Sequence, residues 1–396
     1  MTPLILVLNC GSSSIKFALF DASCRPLTRK AEWNGKVDGI TGSRPTFGET
    51  GVTPAPVSLD PARPYDAALA HIHERVRARV GGERRIAAVA HRVVHGGSKY
   101  FEPVRLDGEV LADLRSYVPL APLHQPFALD AIDSLFRLAP DVPQVACFDT
   151  AFHRTQDPVE QMFALPWSAW ERGVRRYGFH GLSYDYMSHA LVERHGDTAR
   201  GRTIVAHLGS GASLCAMQDL ASVATSMGFS ALDGLMMGTR CGTLDPGAVI
   251  YLMQIEKLTL EEVANMLYHD SGLLGVSGVS SDPRELLPLE SGNERVALAL
   301  ALYVRRIVRE VGALAAVLGG LDLLVFTAGI GEHNAELRAR VCDGLRHLGV
   351  RMDATANACH AAVISSRDSA VTIGVEPTNE EWIAASHAAR LLGPLP

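Results

Sequence analysis

The sequence predicts an α/β protein built from two related halves, and three observations carry that prediction. Residues 4–8 and 15–20 are apolar runs flanking Asn9-Cys10-Gly11-Ser12-Ser13-Ser14, a pattern of strand, small polar turn and strand. The pattern returns over residues 203–217, with Gly209-Ser210-Gly211 in the turn. Asn9 then falls opposite His207, and Gly11 opposite Gly209. The two copies lie half of the 396-residue chain apart, which favours duplication over a chance likeness of turns. Finally, further apolar runs alternate with long helical patterns, which layers helices on sheets.

The other elements follow in order. Residues 36–64 are rich in Gly, Pro, Thr and Ser and read as loop with short strands. Over residues 65–80 the period turns helical, with Ala68, Leu69, Ile72, Val76 and Val80 on one face. Residues 86–94 and 142–148 are candidate buried strands. Residues 260–268 and 294–318 read as amphipathic helices. Residues 321–326 read as a strand, followed by the turn Thr327-Ala328-Gly329-Ile330-Gly331 and a helix over 334–348. A final helix spans 380–392, after Pro377. These elements divide the chain into a domain over 1–150, completed by the terminal helix 382–396, and a domain over 151–381.

Composition narrows the function. Apolar residues make up 47% and charged residues 20%, which excludes disordered and fibrous classes. A net charge of −6 argues against nucleic-acid binding. Seven widely spaced Cys with no CxxC predict free thiols in the reducing cytosol, not a disulfide frame or zinc cage. The apolar N-terminus lacks a preceding basic region, and the longest apolar stretch is too short to span a bilayer, so no signal peptide or membrane partner is expected.

Three Gly-rich segments, 9–16, 207–213 and 327–332, are candidate phosphate cradles, where small residues let backbone N–H groups approach an anion. None matches a P-loop or a dinucleotide fingerprint, and each alone also reads as a tight turn. Arg92 and Arg240 sit beside Gly turns and read either as surface arginines or as guanidinium clamps on carboxylate or phosphoryl oxygens. His91 and His95 lie in a strand pattern that sets them about 13 Å apart, which disfavours a metal pair. His180 reads as a core or a functional histidine. Asp149, at the end of an apolar strand, reads equally as a catalytic carboxylate or a cap.

LVLNCGSSSIKFALF (6–20), HRVVHGG (91–97), LAPLH (120–124), FDTAFH (148–153), YGFHGLS (177–183), MGTR (237–240), GIGE (329–332) and PTNEE (377–381) together resemble the acetokinase family, in order and spacing, across nearly the whole chain. The resemblance implies an actin-like, sugar-kinase-like fold: two duplicated α/β domains closing on a nucleotide cleft. It implies Mg²⁺-dependent reversible phosphoryl transfer from ATP to acetate, giving acetyl phosphate and ADP, with Mn²⁺ as a possible substitute. It also implies a cytoplasmic homodimer.

Residue by residue, the resemblance gives Asn9 and Glu380 metal-associated positions and Lys16 a phosphate contact. Arg92 matches the acetate-binding arginine, Asp149 the catalytic carboxylate, and His180 and Arg240 the transition-state stabilisers. His207, Leu208, Gly209, Ser210, Gly211, Asp282, Pro283, Arg284, Gly329, Ile330, Gly331, Glu332 and His333 match the ATP contacts. Val93, Leu123 and Phe179 match the apolar wall for the methyl group. The chain departs from the family's usual pattern at Ser210, Pro283 and His333, which bear on nucleotide contact. It also departs at Gln125, in place of Asn, and at Ala231, where a wall Pro is common; Ala231 bears on acyl selectivity. Propionate or broader short-chain acids, and a donor such as pyrophosphate, are the nearest alternatives. A nucleotide-switch protein of the actin or Hsp70 kind shares the paired turns but does not need Arg92, Arg240 and His180 as a set.

Overall fold

The structure is a computed structural model that describes residues 1–11, 13–122 and 124–393. The chain forms two compact units. The first comprises Met1–Phe152, Gly181–Tyr186 and Asn379–Pro396; the second comprises His153–His180 and Met187–Thr378.

Unit 1 is built on a mixed sheet of eight strands: β1 (Thr2–Cys10), β2 (Ser14–Asp21), β3 (Trp33–Asp38), β4 (Thr46–Glu49), β5 (Val52–Pro56), β6 (Arg84–Val93), β7 (Val104–Arg105) and β8 (Gln144–Phe148). Their order is β5-β4-β3-β2-β1-β6-β8-β7. β1 pairs antiparallel with β2 and parallel with β6, and β6 pairs parallel with β8. On one face, helix Pro64–Val80 buries Ala68, Ile72 and Val76 against Leu4, Leu6, Leu8, Phe17 and Leu19. Pro at its first position and Gly81 after its end punctuate it. Helix Glu380–Leu392, capped by the Asn379 side chain on the Trp382 N–H (3.0 Å), packs on β1 and β6.

Unit 2 repeats the central five strands. β9 (Thr203–Leu208), β10 (Ala212–Gln218), β11 (Ala221–Thr225), β12 (Leu323–Thr327) and β13 (Thr372–Val375) lie in the order β11-β10-β9-β12-β13. β9 is antiparallel to β10 and parallel to β12, and β12 is parallel to β13. This is the order and sense of β3-β2-β1-β6-β8, so the duplication read from two turns extends through five strands. Helix Glu294–Leu318 spans the predicted residues. It is capped by Asn293 and ended by Gly319 at φ 71°, and it buries a stripe from Val296 to Leu318.

Two elements differ from their sequence reading. The predicted turn at residues 327–331 is mostly helix: β12 runs to Thr327, Ala328 takes φ 64°, and helix Ala328–His333 starts at once. Gly331 faces the sheet, where a Cβ would sit in ordinary contact 3.4 Å from the Phe326 backbone and 3.5 Å from the Ala206 carbonyl oxygen. The single helix expected over 334–348 stops at Gly344 and tightens into a 3₁₀ turn at Arg346–Leu348. Gly344 is a poor helix former and closely faces Val308.

Three buried histidines tie both units to pH. His91 donates from Nε2 to Gln144 Oε1 (2.7 Å), and His95 accepts the Gly97 N–H at Nδ1 (2.8 Å). His153 accepts from Ser222 Oγ (2.9 Å) and donates to the Phe179 carbonyl (3.0 Å). Burial lowers each from 6.5 to about 4. They stay neutral in the folded chain while the unfolded chain protonates them below its own value of 6.5. Stability is therefore expected to fall as pH drops from 6.5 towards 4, by up to about 1.4 kcal/mol per pH unit for each histidine. Thermal melts across that window check this, with His153→Gln giving a shallower slope. An equal slope in that variant would remove His153 from the account.

Candidate functional site

In unit 1 the site is assembled by the parallel strands β1, β6 and β8, whose C-terminal ends lie side by side. Asn9 is next to last on β1, Arg92 next to last on β6, and Asp149 follows the last residue of β8. The Asp149 N–H donates to the Val93 carbonyl (3.1 Å), which sets the carboxylate at the height of Arg92. Arg92 then donates from Nε to both Asp149 oxygens (3.0 and 3.1 Å), from Nη2 to Oδ2 (2.5 Å) and from Nη1 to Asn9 Oδ1 (3.0 Å). The carboxylate is buried at 1% exposure, so the fork is held in one geometry. Burial works against the Arg92 charge; Asp149 and then Glu380 more than restore it and leave its pKa raised.

Glu380, in the first turn of the terminal helix, shares this field. Burial pushes its carboxyl up to about 7; Arg92 pulls it down, and Asp149 and Glu381 push it up again. Lys16, also sensed by Glu380, sits opposite Asn9 across the β1–β2 ladder. Sequence reading placed Glu380 with the second domain; by contacts, residues 379–396 belong to unit 1.

In unit 2 the β9–β10 hairpin carries the second group. His207 pairs with Ser213 across it, and the Gly209 N–H closes the turn on the Gly211 carbonyl (3.1 Å). The His180 ring stacks on His207 at 4.2 Å, and its Nδ1 lies 2.7 Å from Ser213 Oγ. Ser213 was not singled out by sequence, although its place two residues after Gly211 in the turn pattern was visible. A Cβ on Gly211 would stand 3.2 Å from His180 Nε2 and 3.6 Å from Arg240 Nη1, so imidazole, guanidinium and turn converge. Arg240 is anchored by Nη1 to the Ala231 carbonyl (2.9 Å).

The remaining predicted contacts lie in unit 2, on the hairpin itself and in the segments 282–284 and 329–333. Thr327 at the end of β12 lies opposite His207, and a Cβ on Gly209 would reach the Ala328 methyl (3.7 Å), so the Gly329–Ile330–Gly331 helix starts beside the turn. The Glu332 carboxylate accepts the Thr378 N–H (3.3 Å), while the His333 side chain is 74% exposed. Asp282 caps the short helix Pro283–Leu286 and pairs with Arg284 (2.5 Å), and Gly238 packs on the neighbouring Ser281. Leu208 is buried in β9 and Ser210 is exposed in the turn.

Of the apolar wall, Val93 is fully buried in the core of unit 1, with Leu114, Ile132 and Phe148 among its cluster. Phe179 is 2% exposed, its carbonyl taken by His153, and Leu123 lies outside the described residues.

One residue escaped sequence reading altogether. Arg338, 1% exposed, donates to the Gly331 and Glu332 carbonyls (both 2.8 Å) and to Asn357, and so holds the C-terminal end of the 328–333 helix. Among 32 arginines nothing local marks it.

The acetokinase family model matches residues 4–386. The chain belongs to the acetokinase family. An acetate kinase of Rhodopseudomonas palustris is 49% identical and aligns over 99% of each chain. Among solved structures, acetate kinase of Porphyromonas gingivalis is 36% identical, covering 99% of this chain and all of that one at a TM-score of 0.86. A propionate kinase of Francisella tularensis is 34% identical, covering 98% and 99% at a TM-score of 0.90. This acetokinase-family chain therefore has an α/β fold shared with solved acetate and propionate kinases. Among its described residues, no helix is long and apolar enough to cross a membrane.

Proposed function

We propose that the chain catalyses reversible transfer of the terminal phosphoryl group of ATP to acetate, giving acetyl phosphate and ADP. The observation that carries this reading is the convergence of His180 and Arg240 on the Gly211 turn. An acetate oxygen attacks the γ-phosphorus, the P–O bond to ADP breaks, and the electron pair leaves with ADP. The acceptor is already ionised at neutral pH, so no strong base is needed. The barrier lies in bringing an anion to a polyanion. Arg92 binds the acetate carboxylate, and Asp149 and Asn9 hold Arg92 in position. His180 and Arg240 stabilise charge on the equatorial phosphoryl oxygens. Lys16, residues 207–211, 282–284 and 329–333 contact the nucleotide.

The same proposal includes Mg²⁺. Glu380 is destabilised as an anion by its own burial and by Asp149 and Glu381, a field that a divalent cation relieves. Mg²⁺ keeps several waters and takes few direct protein ligands, so the ion is proposed to be held mainly by water and phosphate. Asn9 and Glu380 would hold it, with Asp149 alongside. When bound, the ion neutralises and orients phosphate oxygens. A cytoplasmic homodimer belongs to this reading, and sedimentation at assay concentration tests the dimer. A coupled assay for ADP formation with acetate as acceptor tests the reaction. ATP turnover unaffected by acetate would refute it.

The match to a propionate kinase favours a second acceptor. Val93, Leu123 and Phe179 are proposed to limit the acyl chain, with Ala231 presenting less bulk than Pro. One methylene in an apolar pocket is worth about 1–3 kcal/mol of discrimination. Acetate is therefore expected to be preferred, propionate used, and butyrate much poorer. Ala231→Pro should sharpen the preference for acetate while keeping the carbonyl that anchors Arg240. Values of kcat/KM for the three acids decide it, and equal use of butyrate would place the pocket elsewhere.

A further inference from the structure

We propose that the exposed face of the unit 1 sheet, over β2 to β5, binds a condensed phosphate: an anion carrying two or more linked phosphoryl groups. A cavity of about 610 Å³ opens there, lined in part by Lys16, Arg29, Lys30 and Lys36. The whole chain has five lysines, the other two being Lys99 and Lys257. Three of the five thus meet in one cavity of a chain that otherwise uses arginine.

Register makes the crowding specific. β2 and β3 pair so that Lys16 stands directly opposite Lys36. Like charges in directly opposed ladder positions repel, and a multivalent anion across both removes that repulsion. Gly48 lies opposite Lys36 on the next strand and adds no side chain over the face. Arg29 has its guanidinium over the rings of Tyr186 and Trp382, at 5.4 and 5.1 Å, which steadies a third positive group.

Two carboxylates also line the cavity, Glu49 and Glu381. Glu49 is engaged by Arg75 at 2.7 Å, and Lys36 shares its charge with Asp38 at 2.5 Å. Four lining cations, with Arg75 on Glu49, outnumber the carboxylates Glu49, Glu381 and the neighbouring Asp38, and leave a concave surface of positive excess that concentrates field and counter-ion. A phosphate chain carries several anionic oxygens in line, which suits the opposed pair Lys16 and Lys36 better than a single carboxylate or chloride.

The site goes beyond the transfer reaction. Lys16 alone is shared with the proposed nucleotide contacts, and Lys30, Lys36 and Arg29 have no part in that chemistry. Titration calorimetry on the full chain tests it, with inorganic tripolyphosphate as the probe, ADP as a separate arm and inorganic phosphate as control. Expected are saturable tripolyphosphate binding that weakens steeply with salt, at least a tenfold loss in K30E/K36E, and retention in K30R/K36R. Thermal melts confirm that both variants fold. In the ADP arm, loss of a second equivalent in K30E/K36E assigns the phosphate chain to a nucleotide, and an unchanged ADP isotherm assigns it to inorganic polyphosphate. Absence of saturable tripolyphosphate binding, or equal binding in K30E/K36E, overturns the site. Acetate-dependent ADP formation, followed on the same proteins, keeps the questions apart: an inactive wild type that still binds tripolyphosphate refutes the kinase reading and not this site.

Discussion

Asp149→Ala is expected to lower kcat/KM for acetate by on the order of 10²–10³-fold, about the effect of losing one preorganised donor from a transition state. The reason is Arg92. Three of its four hydrogen bonds to unit 1 side chains go to Asp149, and the fourth goes to Asn9. Without the carboxylate, the guanidinium loses both its orientation and its compensation for burial. Arg92→Lys should fall nearly as far, because an ammonium cannot span Asp149 and a substrate oxygen together. Asp149→Asn is the sharper comparison. It keeps one acceptor and removes the charge, so a loss close to that of Asp149→Ala would show that the ion pair sets the geometry. Asp149→Ala with wild-type kcat and KM would remove the Arg92–Asp149 pair from the mechanism.

That pair marks the limit of what the sequence discloses. Arg92 and Asp149 each stood out, one beside Gly96 and Gly97 and the other at the end of an apolar strand. Whether Asp149 positions Arg92 or a metal-bound water stayed open, because 57 residues separate the pair and 83 separate Arg92 from Asn9. The pairing follows from the strand order β1-β6-β8, and one sequence carries no record of which parallel strands become neighbours. Helices 294–318 and 380–392 were legible end to end, because apolar periodicity and caps are local signals. The duplication was legible for a related reason: a tight hairpin needs the same small residues each time it is built.

Where local rules compete with tertiary packing, the reading failed. Gly329 and Gly331 look like turn residues, yet Ala328 takes the left-handed conformation and the glycines enter a helix. Neither glycine is demanded by space, since a Cβ on Gly329 would meet nothing within 4 Å and one on Gly331 only ordinary contacts; the left-handed turn falls on Ala328 and frees both for the helix. Glu380 belongs to unit 1 through the packing of its helix. Helix 380–392 buries Ile383, Ala384, Ala385 and Ala388, and it packs on β1 and β6, the first and sixth strands of the chain. The sequence reading already returned helix 382–396 to the first domain and left only its first turn, with Glu380, outside.

Arg240→Ala is expected to cost a further 10²–10³-fold in kcat, again on the scale of a single preorganised donor. Its effect on KM for acetate should be smaller, since the guanidinium is proposed to act on charge that develops in transfer. The geometry supplies a companion test that leaves Arg240 in place. Gly211→Ala puts a methyl 3.6 Å from Arg240 Nη1, an ordinary contact, and 3.2 Å from His180 Nε2, tight enough that the ring must shift by a few tenths of an ångström. His180 is stacked on His207 and lies 2.7 Å from Ser213 Oγ, so that shift misaligns the stack or the Ser213 hydrogen bond. Gly211→Ala should therefore lower kcat with little change in melting temperature, and His180→Ala in the same background should add less than it does alone, because the two changes disable one group. Full additivity of Gly211→Ala and His180→Ala would mean that the turn and the imidazole act independently, and normal turnover in Arg240→Ala would take the guanidinium out of the transfer step.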